Sequence, residues 1–197
     1  AQVSHEYLIE QVQLQAFGRT TGNTFSLNFN HPVKELIWCG QAGRGPLEDN
    51  ANANMINAAI GPSVPRLITT SGTAASDIHT NPSVKWTLKL NGHERFAPRE
   101  SGYFTGTQVA NHHTGCSGIM YPNSIYVYSF ALKPEEHQPS GTCNFSRIDN
   151  AQLISTEDVL GATEGNLLGA GGGIDVYAVN YNVLRIMSGM GGLAYSN

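Results

Sequence analysis

Charge is scarce in this chain, and what there is of it is mildly acidic. Of 197 residues only 13% are Asp, Glu, Lys or Arg, and 11 basic against 15 acidic side chains leave a net charge of −4. Such a surface has no basic field to hold a phosphate backbone, which disfavours direct nucleic-acid binding. Cysteine is nearly missing: Cys39, Cys116 and Cys143 are far apart with no CxxC pair. No disulfide framework is expected, and a reducing compartment fits best. No run approaches the roughly 20 apolar residues that cross a bilayer as a helix. The opening AQVSHEYLIEQ lacks both an initiator methionine and the charged-then-apolar order of a signal peptide. A strand pattern begins almost at once, as in a piece of a longer polypeptide. Tandem repeats and strictly low-complexity tracts are absent. The glycine-dense AGGG (170–173) and SGMGGLAYSN (188–197) have no GK[ST] and no following helix. They read as a hinge or a tight backbone approach rather than a phosphate loop.

What is present has period two. In SVKWTLKLNG (83–92), Val84, Trp86, Leu88 and Leu90 alternate with Lys85, Thr87 and Lys89, the pattern of a strand with one buried face. TFSLNF (24–29) repeats it, and YLIEQVQLQAF (7–17) sets Val12, Leu14 and Ala16 against Gln11, Gln13 and Gln15. VKELIWCG (33–40) and SIYVYSFAL (124–132) are apolar on both faces, as in strands covered on each side. Two long segments, TCNFSRIDNAQLI (142–154) and GIDVYAVNYNVLRIM (173–187), invite a bulge or bend, and the apolar parity of the second slips between Ala178 and Val179. A short strand, ERFA (94–97), follows the Asn91-Gly92 hairpin signal. Asn30-His31-Pro32 reads as a turn, 40–81 as a long surface excursion, and 98–112 as the one plausible helix. The total predicts a single domain, residues 1–197: an all-β, eight-stranded antiparallel jelly-roll sandwich with long loops and at most one or two short helices.

No reactive constellation stands out. GCSG (115–118) is not the G-x-S-x-G elbow and leads toward another strand, so Ser117 is not expected to be a nucleophile. His112, His113 and Cys116, with His79 or His93, lack the paired spacing of a zinc site. Glu135, Glu136 and His137 are consecutive, flanked by Pro134 and Pro139, and neighbours in sequence splay apart, whereas catalytic carboxylates need a fixed separation. Gln138-Pro139-Ser140-Gly141 fits a type I turn. Asn144-Phe145-Ser146 is formally a glycosylation acceptor but falls inside a predicted strand. No catalytic, cofactor-binding or metal residue is assigned. Glu135, Glu136 and His137 should tolerate replacement, whereas Phe145 and Ile148 should be needed for folding.

Three blocks in order carry a resemblance: FNHPVKELIWCGQ (29–41), IYVYSFALKPEEHQPSGTCNFSRIDNAQL (125–153) and NYNVLRIMSGMGGLAYSN (180–197). Together with Tyr103-Phe104 and HHTG (112–115), they resemble the C-terminal half of the major capsid protein of nucleocytoplasmic large DNA viruses. The resemblance implies the second of two tandem jelly rolls, a homotrimeric pseudo-hexagonal capsomer, and an icosahedral shell of such capsomers over an internal membrane. Minor capsid proteins would be partners, and the virion, assembled in the host cytoplasm, the location. The loops 40–81 and 98–122 would supply contacts between subunits or an outer tower. Trp38, Phe130 and Tyr181 would be core or interface anchors, core being the commoner role. The competing class is a jelly-roll carbohydrate-binding module of lectin type, for which LEDNANAN (47–54) is the only acidic-amide loop. A cupin enzyme would need His and Glu clustered on neighbouring strands, whereas the histidines here lie mostly in loops.

Overall fold

The computed structural model describes residues 4–17, 23–40, 85–114, 125–156 and 174–195. Ten strands are seen among them: β1 (His5–Phe17), β2 (Thr24–Leu27), β3 (Pro32–Gly40), β4 (Lys85–Leu90), β5 (His93–Glu100), β6 (Ile125–Ser129), β7 (Cys143–Asn144), β8 (Ala151–Ser155), β9 (Ile174–Met187) and β10 (Met190–Leu193). One sheet runs β1-β9-β3-β6, with β10 added to β9 and β7 to β3; the other runs β2-β8-β4-β5. The pairs β1·β9, β2·β8, β3·β6 and β4·β5 are all antiparallel. First pairs with last, second with last but one, and so inward: this is a long hairpin rolled into two sheets, the jelly roll. Eight strands carry the topology, and the two short ones are additions.

The sheets meet over an aromatic centre. Trp38 of β3 stacks on Tyr126 of β6 at 5.6 Å and meets Trp86 of β4 edge-on at 5.6 Å and Phe104 at 5.2 Å. All four are fully buried. Leu36, Leu88, Leu153, Ile174, Val176 and Ala178 fill the space around them.

Several expectations are corrected. The helix expected over 98–112 is present from residue 101 to His112, as a π-helical turn (Tyr103–Thr107) running into α1 (Gln108–His112), but it starts later than expected because residues 98–100 finish β5. Pro98 is tolerated because β5 is an edge strand, where the missing N–H costs no ladder bond. β5 also outruns the predicted 94–97, and its register against β4 shifts twice, with Thr87 Oγ1 donating to Phe96 O at 2.6 Å beside the irregularity. The predicted strand 142–154 breaks into β7, a 3-10 turn (Phe145–Arg147) and β8. Asn144 caps that turn by accepting from Ser146 N. The strand over 124–132 stops at Ser129, because Phe130 N and Ala131 N both turn back to Lys34 O. In β9 the buried positions stay in register through Ala178, Asn180 and Asn182: polar residues occupy inner sites, and the bulge lies on β3 instead, at Lys34. The glycine-rich terminus is the β9–β10 hairpin, whose Ser188-Gly189 loop has φ of 54° and 80°, as a type I′ turn requires. Asn91-Gly92, at 50° and 81°, is the predicted hairpin of the same kind.

The largest correction concerns β1. Its glutamines, not its aliphatic residues, face the interior. Gln15 accepts from Asn28 N at 2.9 Å and donates to Ser26 O at 2.8 Å. Gln13 accepts from Asn30 N at 3.0 Å and donates to Asn30 O and to Asn180 Oδ1 at 2.7 and 3.0 Å. These amides satisfy the backbone of 26–30, which continues the free edge of β2, and so close the gap between the two sheets. Val12 and Leu14 consequently point outward, 65% and 55% exposed.

Candidate functional site

Two features remain once the core is accounted for: a polar cluster under the segment 131–140, and the outer face of the β1-β9-β3-β6 sheet.

The bulge at Lys34 places two successive charged residues, Lys34 and Glu35, on the outer face, while Val33 and Leu36 stay in the core. Lys34 is almost wholly buried. Its Nζ bonds Glu10 Oε1 and Pro134 O, both at 2.6 Å, and lies 5.4 Å above the Tyr181 ring. Glu35 Oε2 lies 3.1 Å from His113 Nε2, and His113 Nδ1 lies 3.2 Å from Glu135 Oε1. The Nε2 contact is of ion-pair length but not aligned as a hydrogen bond, and neither of its atoms has another bond among the described residues. Glu135 also accepts from Thr114 N and Thr114 Oγ1. Burial pushes the Glu35 carboxyl up against the opposing pull of His113 and Lys34, whereas the Thr114 donors hold that of Glu135 down.

Of the residues singled out from sequence, Glu135 and His113 come together, with Glu35 as an unforeseen third member. Glu136 turns away to Lys133 (2.9 Å), and His137, exposed, is 3.9 Å from Glu10, so the three consecutive side chains do splay. His112 Nδ1 contacts Leu132 O at 3.0 Å, and exposed His93 opens β5. His79, Cys116, Ser117 and the loop 47–54 lie outside the described residues. Burial raises the Cys143 thiol, and burial with Asp175 takes Cys39 to about 11, so both are thiols at neutral pH and poor nucleophiles. Among the described residues no three His, Cys, Asp or Glu side chains converge as metal ligands. The geometry fits fastening, not turnover.

Beside this polar cluster and the Glu6–Arg185 pair, the outer sheet face carries an apolar row. Cross-strand register sets Leu14 beside Tyr177, Val12 beside Val179 and Leu8 beside Val183, with Ile37 and Val127 continuing the row across β3 and β6. Its β1 side is open: Leu8, Val12 and Leu14 are exposed, as is Ile125 at the β6 end. Of the three residues offered as core or interface anchors, Trp38 is core, Phe130 packs against the core rim, and Tyr181 is buried beneath Lys34 on the outer face.

A family model described as the large eukaryotic DNA virus major capsid protein matches residues 1–192. The chain belongs to this capsid-protein family. The major capsid protein of Pyramimonas orientalis virus is 44% identical across the whole of this chain, which covers 44% of that relative. That of Paramecium bursaria Chlorella virus 1 is 41% identical, with 50% of its length covered. A quasi-atomic model of the latter virus's capsid superposes with a TM-score of 0.64 at 36% identity, over all of this chain and 52% of that one. The Faustovirus major capsid protein, at 15% identity and a TM-score of 0.51, shares the fold alone. The chain thus spans about half the length of the curated capsid relatives it matches.

Proposed function

We propose that this chain is the C-terminal jelly roll of a double jelly-roll major capsid protein, whose homotrimers form pseudo-hexagonal capsomers that tile the outer shell of a large icosahedral DNA virus. Membership of the capsid family supports the role. The observation that carries the assembly reading is the apolar outer face, because a sheet with one face in its own core and a second aliphatic face exposed is built to be covered. Long-lived contact with neighbouring copies would remove Leu8, Val12 and Leu14 from water. The wider reading includes minor capsid proteins and an internal membrane beneath the shell, with assembly in the host cytoplasm. It requires no catalytic group.

The test is charge on that face. Val12→Asp and Leu14→Asp, placed in the full-length protein, should leave the circular dichroism spectrum unchanged and abolish capsomer formation in native mass measurements. Undisturbed capsomers would remove this face from the interface. A glycan array on the same protein addresses the lectin class: specific sugar binding would count against a purely structural role.

A further inference from the structure

We propose that Glu35, His113 and Glu135 form a proton-operated clasp that pins the segment 131–140 and the end of α1 to the outer face of the sheet and loosens as pH rises.

The geometry carries the argument. The imidazole of His113 lies between two carboxylates, one 3.1 Å from Nε2 and one 3.2 Å from Nδ1. A neutral imidazole has one N–H and one lone pair, so with both carboxylates ionised one oxygen must face a lone pair, either at buried Glu35 or at half-exposed Glu135. The arrangement is attractive on both sides only when the cluster holds one further proton, on the ring or on Glu35. That proton belongs to the group as a whole. The other charged neighbours do not supply it. Lys34, adjacent on β3, is already bonded to Glu10 of β1 and to Pro134 O; His137 lies toward Glu10; Lys133 and Glu136 pair with each other; His112 is turned to Leu132 O. Tyr181 of β9 lies beneath Lys34, and Ser129 of β6 is the cross-strand neighbour of Glu35. The raised carboxyl of Glu35 agrees with proton retention in the closed state.

The sign follows. With the clasp open, the ring and the Glu35 carboxyl are solvated and release the shared proton in the ordinary range of solvated side chains. The closed form holds one. Its advantage is therefore full below that range and is lost as pH rises through the closed cluster's own titration. Glu135 sets a separate acid limit, because its lowered carboxyl must stay ionised to hold Thr114.

Hydrogen exchange of the full-length protein from pH 5.5 to 8.5 tests this, with the Thr114 amide and the 131–140 amides as reporters. After correction for intrinsic base catalysis, wild-type exchange at Thr114 should accelerate with pH by up to tenfold per unit, the limit for one proton. Glu35→Gln, which can donate to a neutral His113, should give a slow, flat profile. A flat wild-type profile, or an equal rise in Glu35→Gln, overturns the proposal. Should Glu35→Gln not fold, ring-nitrogen and carboxyl NMR of the wild type decides. A shared proton at pH 7 upholds the clasp, and a neutral ring beside an ionised Glu35 in the closed form refutes it.

Discussion

Replacing Gln13 of β1 by alanine should destabilise the 197-residue chain more than replacing its neighbour Leu14, against the usual order for polar and aliphatic residues. Gln13 makes three hydrogen bonds, to Asn30 N, Asn30 O and Asn180 Oδ1. At about 1 kcal/mol net for each bond, and discounting the two at Asn30 because water can reach the freed backbone, the loss is about 2 kcal/mol. Gln15, with two bonds to Ser26 and Asn28, should cost about 1 kcal/mol. Leu14, more than half exposed, should stay within about 0.5 kcal/mol. Urea unfolding reads these differences directly. At a slope of about 2 kcal/mol per M, Gln13→Ala moves the midpoint down by about 1 M and Leu14→Ala by less than a quarter of that. The two glutamines hold one segment, so their double replacement need not equal the sum. If Leu14→Ala lowered the midpoint more than Gln13→Ala, the orientation of β1 would be wrong and the outward aliphatic row would not exist.

Trp86→Ala should cost about 3–5 kcal/mol by emptying the centre of the aromatic cluster, seen as loss of a cooperative thermal transition. Phe145→Ala should be of similar size, since its ring is buried between Phe29 and Phe130 at 6.2 and 6.0 Å, whereas His137→Ala should change the midpoint by less than about 0.5 kcal/mol. Gly141→Ala should destabilise by about 1–3 kcal/mol, because φ there is +143° and a Cβ would lie 2.7 Å from Phe130 O. Glu135→Gln should remove a contribution that is present above the ordinary carboxylate range and lost as pH falls through the lowered native value. Wild-type and variant midpoints should therefore converge in acid; parallel curves would contradict the role given to Thr114.

The sandwich was readable because most of its strands obey a two-residue period and one hairpin carries Asn91-Gly92, whereas the Ser188-Gly189 hairpin was hidden in a glycine-rich string that reads as a hinge. The stretch KPEEHQPSGTCNFSRIDN, chemically suggestive as a string, is a surface segment followed by a core plug at Phe145, much as its prolines and glycine imply. The face of β1 was not readable. EQVQLQAF has perfect alternation, and alternation fixes which residues share a face but not which face is inside. Only the long-range partners of Gln13 and Gln15, at 26–30, decide that. The break after Asn144 escaped for a similar reason, since a single Asx cap converts a strand-like string into a turn. Glu35 was hidden inside the apolar run VKELIWCG. The one available signal was a charged pair in an otherwise two-sided strand, which here marks a bulge. Glu135, grouped with Glu136 and His137 as replaceable, differs from them in accepting three bonds from Thr114.

The apolar row on the outer sheet face is proposed to be covered by neighbouring copies in a trimer. Electron microscopy of the full-length protein, purified at micromolar concentration, tests it most directly. Uniform particles of three copies with a pseudo-hexagonal outline, each jelly roll standing as one corner, are the expected result. A population of monomers that stays monomeric as concentration and salt are raised would contradict it.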